Sequence, residues 1–187
     1  MIELVRAEEH HVLDICKLWW EFLLFHNDID PWFTPREGSI PGVQEHHLGR
    51  FMQSENALVL IALENGKVVG YSLSEVQGPS PSMKQEGWGY IDQVVMTAGY
   101  RRKGVGQKML VEILAWLKSK GVSRVELEVT AQNAIGYVFW RKHGFQDYMH
   151  RLYLEQDNLK QRYRNRLALL FLSLPQGEEV LQKVLPR

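Results

Sequence analysis

The sequence predicts an α+β fold of three layers, in which a mixed central β-sheet is flanked by helices. Three observations predict this architecture. Residues 8–25 carry apolar side chains at every third or fourth position, as an amphipathic helix does. Two apolar runs, 57–63 and 67–76, flank an Asn-Gly turn and predict an antiparallel hairpin. Residues 89–129 have the pattern strand, helix, strand, which predicts a parallel pair with a right-handed crossover.

The N-terminal half supplies a strand, two helices and the hairpin. Residues 2–6 alternate apolar and polar side chains, which is typical of a half-buried strand. The helix predicted at 8–25 is followed by a loop at 27–41, which holds three prolines and two aromatic side chains. A weaker helical pattern at 43–54 precedes the hairpin, and a second loop with two prolines follows it at 78–87.

The C-terminal half begins with a strand at 89–96 and a helix at 105–120. The helix has an apolar side chain at every fourth position, and a glycine follows its last residue. Residues 122–129 alternate well and predict a strand, and a short helix follows at 133–143. The last strand is predicted at 145–154. Beyond it the pattern is helical again until Pro175. We therefore expect a core domain at 1–155 and an extra C-terminal helix in an extension at 156–187.

Composition narrows the class of protein. A length of 187 residues suits one domain, and 22 basic against 22 acidic residues give a formal net charge of zero, which disfavours a nucleic-acid partner. The single cysteine, Cys16, cannot form an internal disulfide and lies in an apolar helical pattern that predicts a core position. The two His-His pairs lack metal-ligand spacing. We expect a cytoplasmic protein with no metal and no membrane partner.

The segment with the most chemistry joins the strand at 89–96 to the helix at 105–120. Residues 101–103 are Arg, Arg and Lys, and Gly104 and Gly106 follow them. The first N–H groups of a helix have no acceptor within the helix, and together with the helix dipole they attract anions. Glycine has no Cβ, so the backbone there can approach a phosphate closely. The loop therefore predicts a phosphate-binding site.

Two common phosphate-binding motifs do not fit this loop. A Walker A motif needs Lys and then Ser or Thr after its second glycine, whereas Val105 and Gly106 stand there. A dinucleotide-binding motif needs a third glycine at the position of Met109. A solvated basic turn with helix-capping glycines is the structural alternative.

The loop and its surroundings resemble a known family. The pattern Arg-x-x-Gly-x-Gly at 101–106, after a strand and opening a helix, resembles the acetyl-CoA diphosphate loop of the GNAT (Gcn5-related N-acetyltransferase) superfamily. The segment from Asn133 to a Gly-Phe pair is similar to a second motif of that family, and the element order over residues 2–154 is also the family's. The resemblance implies the GNAT acyl-CoA N-acyltransferase fold and an acetyl-CoA-dependent N-acetyltransferase.

The resemblance implies acetyl-CoA as the co-substrate. In the family the loop amides bind the CoA diphosphate, the basic side chains neutralise phosphate charge, and the end of the preceding strand pairs its backbone with the pantetheine arm. The residues implied for the coenzyme are Val94, Val95, Met96, Arg101, Arg102, Lys103, Gly104, Val105, Gly106 and Asn133. Solvent exposure is the alternative for the basic side chains, and helix capping is the alternative for Asn133.

The resemblance also implies direct attack of a primary amine on the acetyl thioester. The backbone N–H of Met96 is the expected oxyanion donor. Asp92 is the candidate base, because in a regular strand it shares a face with Met96. A fixed charge that holds a neighbouring loop is the alternative for Asp92, and Glu75 and Glu86 are less well placed.

The general acid departs from the family pattern. Many members protonate the CoA thiolate with a Tyr four residues before the Gly-Phe pair, and Trp140 stands there in this chain. Tyr137, nearly one helical turn earlier, is the candidate acid, with packing as its alternative role. A thiol of pKa near 8.5 leaves acceptably as thiolate, so an acid is not strictly required.

The acceptor is expected to be an amine of a small molecule or a peptide. The resemblance places the loop at 27–41 beside the acceptor, where Asp28 and Asp30 would bind a cationic amine and Trp32 or Phe33 would pack on it. Anchoring of the loop by its aromatic side chains is the alternative. The apolar stretch at 167–172 would pack on its own domain or form a homodimer contact through the C-terminal helix.

A rival function keeps the same fold without catalysis. In that reading the chain is an acyl-CoA-binding sensor or regulatory module, and Trp140 in place of the usual Tyr is the observation that favours it. A second rival, a nucleic-acid or phosphoprotein contact through residues 101–103, is disfavoured by the zero net charge.

Overall fold

The computed structural model describes residues 1–79, 82, 84 and 87–154. The chain divides into two compact units, Met1–Gly144 and Phe145–Arg187. The helices and strands named below lie in the first unit. The extension predicted at 156–187, with its C-terminal helix, lies outside the described residues.

The first unit is built on a mixed sheet, as predicted, which has five strands among the described residues. Its strands lie side by side in chain order. They are β1 (Ile2–Arg6), β2 (Ala57–Glu64), β3 (Lys67–Gln77), β4 (Trp88–Met96) and β5 (Val125–Leu127). The first four strands pair antiparallel and β5 pairs parallel to β4, which confirms both the hairpin and the parallel unit.

The helices cover the sheet. The α-helices are α1 (Val12–Ile29), α2 (Ile40–Gly42), α3 (Gly49–Gln53), α4 (Val105–Ser119) and α5 (Ala134–Lys142). A π-helical segment, Val43–Leu48, joins α2 to α3, so the weaker predicted helix at 43–54 forms as two pieces. Short 3₁₀ turns occur at Glu9–His11, Pro31–Phe33 and Ala98–Tyr100.

Two apolar layers hold the sheet between α1 and α4. On one face, Ile15, Cys16 and Leu18 of α1 pack with Tyr71 and Val95 of the sheet in a buried cluster, which we call the α1 cluster. Burial also raises the pKa of the Cys16 thiol, as expected for a core cysteine. On the other face the predicted stripe of α4 is buried; its members are Val105, Met109, Ile113 and Leu117. The two helices thus fix the sheet from both sides.

The C-terminal strands differ from the prediction. β5 contains only Val125–Leu127 of the strand predicted at 122–129. Residues 145–154 form no strand at all, so the last predicted strand is wrong. The apolar side chains of that segment recur at three and four positions (Phe145, Tyr148, Met149, Leu152), which is not the alternation that a half-buried strand requires.

Two serines on the α4 side of β3 give a stability prediction. Ser72 and Ser74 are fully buried and their hydroxyls have no hydrogen-bond partner among the described residues. Removing an unsatisfied buried hydroxyl relieves its desolvation penalty. We expect S72A/S74A to raise the free energy of unfolding by about 1 kcal/mol in urea denaturation.

Ser54 is the matched control, because its hydroxyl oxygen accepts a hydrogen bond from the backbone N–H of Asn56 at 3.2 Å. S54A is expected to lower the free energy of unfolding slightly. A loss of stability in the double variant would show that the two buried hydroxyls do have partners.

Candidate active site

The sheet opens between β4 and β5. Only Gly89, Tyr90 and Ile91 of β4 pair with β5, and the strand then continues to Met96 with β3 along one side. The described residues place no strand against the other edge of this second half of β4. The backbone of this half of β4 is therefore available to pair with an extended ligand.

A β-bulge sets the direction in which the backbone groups of β4 point. Leu73 pairs with Gln93 and Ser74 with Ile91, so Asp92 is an inserted residue without a partner. The N–H of Thr97 donates to the carbonyl of Val69 at 3.0 Å. An antiparallel ladder alternates between residues that bond their partner strand and residues that face away from it.

This alternation points the N–H and C=O groups of Met96 and Val94 away from β3 and into the opening. Val95, the third residue predicted for the pantetheine arm, directs its backbone groups to β3 instead, and its side chain is buried. Two of the three predicted strand residues thus direct their backbone N–H groups into the opening, where the Met96 carbonyl accepts a hydrogen bond from Nε of Arg101.

The bulge also corrects the expected position of Asp92. Val95 packs in the α1 cluster, so Val94 and Met96 point to the α4 side of the sheet. Asp92 instead lies on the α1 side, where its Oδ2 is 3.2 Å from Nε2 of His47. Burial, followed by the Asp92 charge, raises the pKa of Tyr71 in the same cluster well above its ordinary value. The expectation that Asp92 shares a face with Met96 is wrong, because the inserted residue reverses the alternation.

The predicted phosphate loop has the backbone geometry of an anion nest. Arg102 has φ +60° and Gly104 has φ +80°, and Lys103 between them has no positive φ. Such an alternation turns successive N–H groups toward one concavity, where they attract anions. Gly104 is the N-cap of α4, so the N–H groups of Val105 and Gly106 have no acceptor within the helix.

The three basic side chains of the loop have different surroundings. Nε of Arg101 donates to the Met96 carbonyl at 3.1 Å, and its guanidinium lies 5.1 Å from the centre of the Phe25 ring. Lys103 Nζ lies 5.1 Å from the centre of the Tyr100 ring. Arg102 is exposed. Arg101 therefore connects the end of β4 to α1. Arg101 and Lys103 are exposed as Arg102 is, so all three cations are accessible from solvent.

Tyr100 connects the loop to the sheet at the end of β2. Its hydroxyl donates to the Glu64 carboxylate at the end of β2, and this hydrogen bond raises the pKa of Tyr100. A Cβ on Gly106 would meet the Phe139 ring of α5 at 3.6 Å, an ordinary contact. Packing within the chain therefore does not require glycine at position 106.

Helix α5 completes the opening. Asn133 Oδ1 accepts from the N–H of Gly136 at 2.9 Å, which confirms its capping role. Asn133 Nδ2 also lies 3.5 Å from Nε2 of His26 in α1. Tyr137 lies one turn after Asn133 on the same side of α5 and is partly exposed, and Trp140 lies a further turn along and is half-buried.

The predicted acceptor residues lie at the C-terminal end of α1. Asp28 and Trp32 are exposed, whereas Asp30 Oδ1 accepts from the N–H of Trp32 at 2.9 Å and so caps a 3₁₀ turn. Glu75, a less well placed base, forms an ion pair of 3.4 Å with Arg50, and Glu86 lies outside the described residues.

Sequence reasoning missed two histidines at this site. His26 is buried, donates from Nδ1 to the Phe22 carbonyl at 2.9 Å, and lies against the Phe33 ring. The sequence signal at His47 is its place in a His-His pair that lacks metal-ligand spacing. Its partner Asp92 is 45 positions away in sequence, so no local pattern could have indicated the contact.

Within the described part of the chain, no cluster of three metal-ligating side chains is present. None of the described helices is long and apolar enough to cross a membrane.

Solved structures with this architecture include several N-acetyltransferases. An aminoglycoside 6'-N-acetyltransferase from Acinetobacter haemolyticus has a TM-score of 0.65 at 15% identity, covering 82% of this chain and 97% of that one. Aminoglycoside N-acetyltransferase AAC(6')-Iy with a CoA bisubstrate analogue has a TM-score of 0.63 at 12% identity, covering 83% and 97%. A tetramutant of a Bacillus halodurans protein reaches 0.73 at 20% identity, covering 82% and 99%. At these identities the likeness establishes the fold.

The sequence itself establishes the family. A family model described as the acetyltransferase (GNAT) family matches residues 14–145, which is more than half of the chain. The chain therefore belongs to the GNAT acetyltransferase family, and both the resemblance and the fold class expected from the sequence are confirmed. No curated protein matches the chain by sequence.

Gly70 connects sheet packing to the candidate site. A Cβ at Gly70 would lie 2.8 Å from the Val95 carbonyl oxygen and 1.4 Å from Cε of Met96. We expect G70A to push β4 away from β3, to cost about 1–3 kcal/mol of stability and to weaken CoA binding in titration calorimetry. G42A is the matched control, because a Cβ at Gly42 meets nothing within 4 Å. An unchanged stability and CoA affinity in G70A would contradict this packing.

Proposed function

We propose that this chain transfers the acetyl group of acetyl-CoA to a primary amine of a small molecule or peptide by direct attack. One observation carries the proposal: the free backbone edge of β4, at Val94 and Met96, leads directly into an anion nest at the N-terminus of α4. An extended arm that ends in a diphosphate matches both features, and membership of the GNAT family supports acetyl-CoA as the donor.

In this proposal the loop N–H groups bind the coenzyme diphosphate. Gly104 and Gly106 allow close approach, Val105 contributes an N–H group, and Arg102 supplies the charge. Arg101 and Lys103 act by holding the loop and the end of β4 through their contacts with Met96, Phe25 and Tyr100. Asn133 stays beside the arm as the cap of α5.

The same strand edge supplies the oxyanion donor. The Met96 N–H faces the opening and would donate to the thioester oxygen as negative charge develops there. A donor of this kind typically contributes about 10²-fold or more to the rate. The N–H of Val94, two residues further from the nest, has the same orientation and is the second donor along the arm.

The thiolate leaves either unprotonated or with a proton from Tyr137. The position of Tyr137 one turn after Asn133 supports its assignment as acid, and Trp140 supplies no acidic proton. The acceptor amine enters beside the C-terminal end of α1, where Asp28 is exposed and Trp32 offers a flat ring. The capping bond of Asp30 makes it a support for this turn rather than a free carboxylate.

The direct experiment is acetyl transfer with acetyl-CoA and a panel of amines: a diamine, a free amino acid, an aminoglycoside and a peptide N-terminus. We expect thiol release together with an acetylated product detected by mass spectrometry. CoA binding without transfer to any amine would favour the rival acyl-CoA-binding module. No binding of CoA at saturating concentration would contradict both.

The role of the nest is tested with two matched glycines. Gly104 (φ +80°) and Gly121 (φ +79°) flank α4, and a Cβ at either meets nothing within 4 Å. G104L and G121L therefore carry a similar backbone strain, of about 1–2 kcal/mol. We expect only G104L to abolish the rise in melting temperature that CoA gives, because only its side chain fills the nest. An equal CoA response in both variants would contradict the assignment.

A further inference from the structure

A histidine–carboxylate pair lies where the opening begins. Nε2 of His47, in the π-helical segment, is 3.2 Å from Oδ2 of Asp92, the inserted residue of the β4 bulge. The side chains are 35% and 27% exposed, so both are partly shielded and still reachable from solvent. The ring of His47 also packs edge-on against Phe51, with centroids 5.3 Å apart, which limits its rotation.

The pair fixes which ring nitrogen is basic. An ionised carboxylate only accepts hydrogen bonds, so Nε2 of His47 carries the hydrogen and donates it to Asp92. The lone pair of the neutral ring is then on Nδ1, which has no hydrogen-bond partner among the described residues. A free, basic nitrogen on an oriented ring is the arrangement that proton transfer requires.

The location of the pair is on the acceptor side of the sheet. The anion nest lies at the N-terminus of α4, so the coenzyme enters the opening from the α4 side. An attacking amine must then approach from the other side, which α1 and the π-helical segment cover. Asp92 is on that side and precedes Val94 by two residues, next to the point where pairing of β4 with β5 stops.

We propose that His47 is a catalytic residue that accepts a proton from the acceptor amine, and that Asp92 is its positioning residue. This inference rests on the proposed acetyl transfer. An alkylammonium has a pKa near 10, so only about 0.1% is free base at pH 7. The ammonium gives one proton to Nδ1, and the freed lone pair attacks the carbonyl carbon as the C=O electrons move to oxygen. The intermediate collapses with C–S cleavage, and its second N–H proton passes to the thiolate through Tyr137 or solvent, so that the products are the amide and CoA thiol.

The other ionisable groups near the pair have separate partners. The hydroxyl of Tyr71 donates to Gln93 Oε1 at 2.6 Å. Burial, followed by the Asp92 charge, raises the pKa of this hydroxyl. Cys16 of α1 is buried in the core. Arg50 on α3 pairs with Glu75 on β3. Among the groups that the structure describes beside Asp92, the His47 ring is the one with a nitrogen free to accept a proton.

The test compares pH profiles of wild type, H47Q and D92N with acetyl-CoA and the most reactive amine of the panel. We expect H47Q to lower kcat about 100-fold at pH 7, with an unchanged KM for acetyl-CoA. The deficit shrinks toward pH 10 as the amine loses its proton in solution, and it shrinks with acceptors of lower pKa. The acid limb of the kcat/KM profile, which reports the proton-accepting group of the free enzyme, is absent from H47Q. D92N shows a smaller loss of kcat with the same pH dependence, and D92E restores the wild-type kcat.

His10 provides the matched control, since it pairs with Glu8 at 3.5 Å on an exposed surface before α1. H10Q should retain the wild-type profile. If wild type transfers acetyl groups and the H47Q profile keeps the wild-type shape, the proton-accepting role is refuted and the proposed function stands. If wild type acetylates no amine at any pH, the proposed acetyl transfer and the proton-accepting role of His47 are both refuted.

Discussion

One extra residue in β4 determines what the open edge of the sheet can do. Gly89 donates its N–H to Arg124 beside β5, so in an unbroken strand the same alternation would bring Gln93 and Val95 to the open edge. The bulge at Asp92 shifts this alternation, and Val94 and Met96 face the opening instead. The same insertion places the Asp92 carboxylate on the α1 side, beside His47. The proposed donors to the thioester and the proposed His47–Asp92 pair thus share one structural cause.

The bulge works only because the layers around it are fixed. The α1 cluster holds Tyr71 and Val95 on one side, and the buried stripe of α4 holds the other. A Cβ at Gly89 would lie 2.7 Å from Leu117, so α4 packs directly on the start of β4 and sets the position of the nest at its own N-terminus. Arg101 then links the Met96 carbonyl to the Phe25 ring. The nest, the strand edge and α1 therefore keep a fixed relation.

Local sequence patterns were sufficient for most of the sheet and for the nest. The Asn-Gly turn, the glycines at 104 and 121 and the stripe of α4 each depend on neighbouring residues only, so they could be identified without a structure. The bulge could not be identified in this way. It exists because Asp92 has no partner in β3, and that depends on the register between the two strands rather than on neighbouring residues. The His47–Asp92 contact likewise joins distant parts of the chain. The strand predicted at 145–154 is wrong for another reason, since the apolar side chains of that segment recur at three and four positions and do not alternate.

The central claim is that the coenzyme arm lies along β4 as an added strand. Residue-resolved amide hydrogen exchange, with and without CoA, measures this directly. The account predicts that the amides of Val94 and Met96 gain protection when CoA binds, whereas Val95, already bonded to β3, does not change. Protection that appears elsewhere on the fold while Val94 and Met96 exchange as before would contradict it.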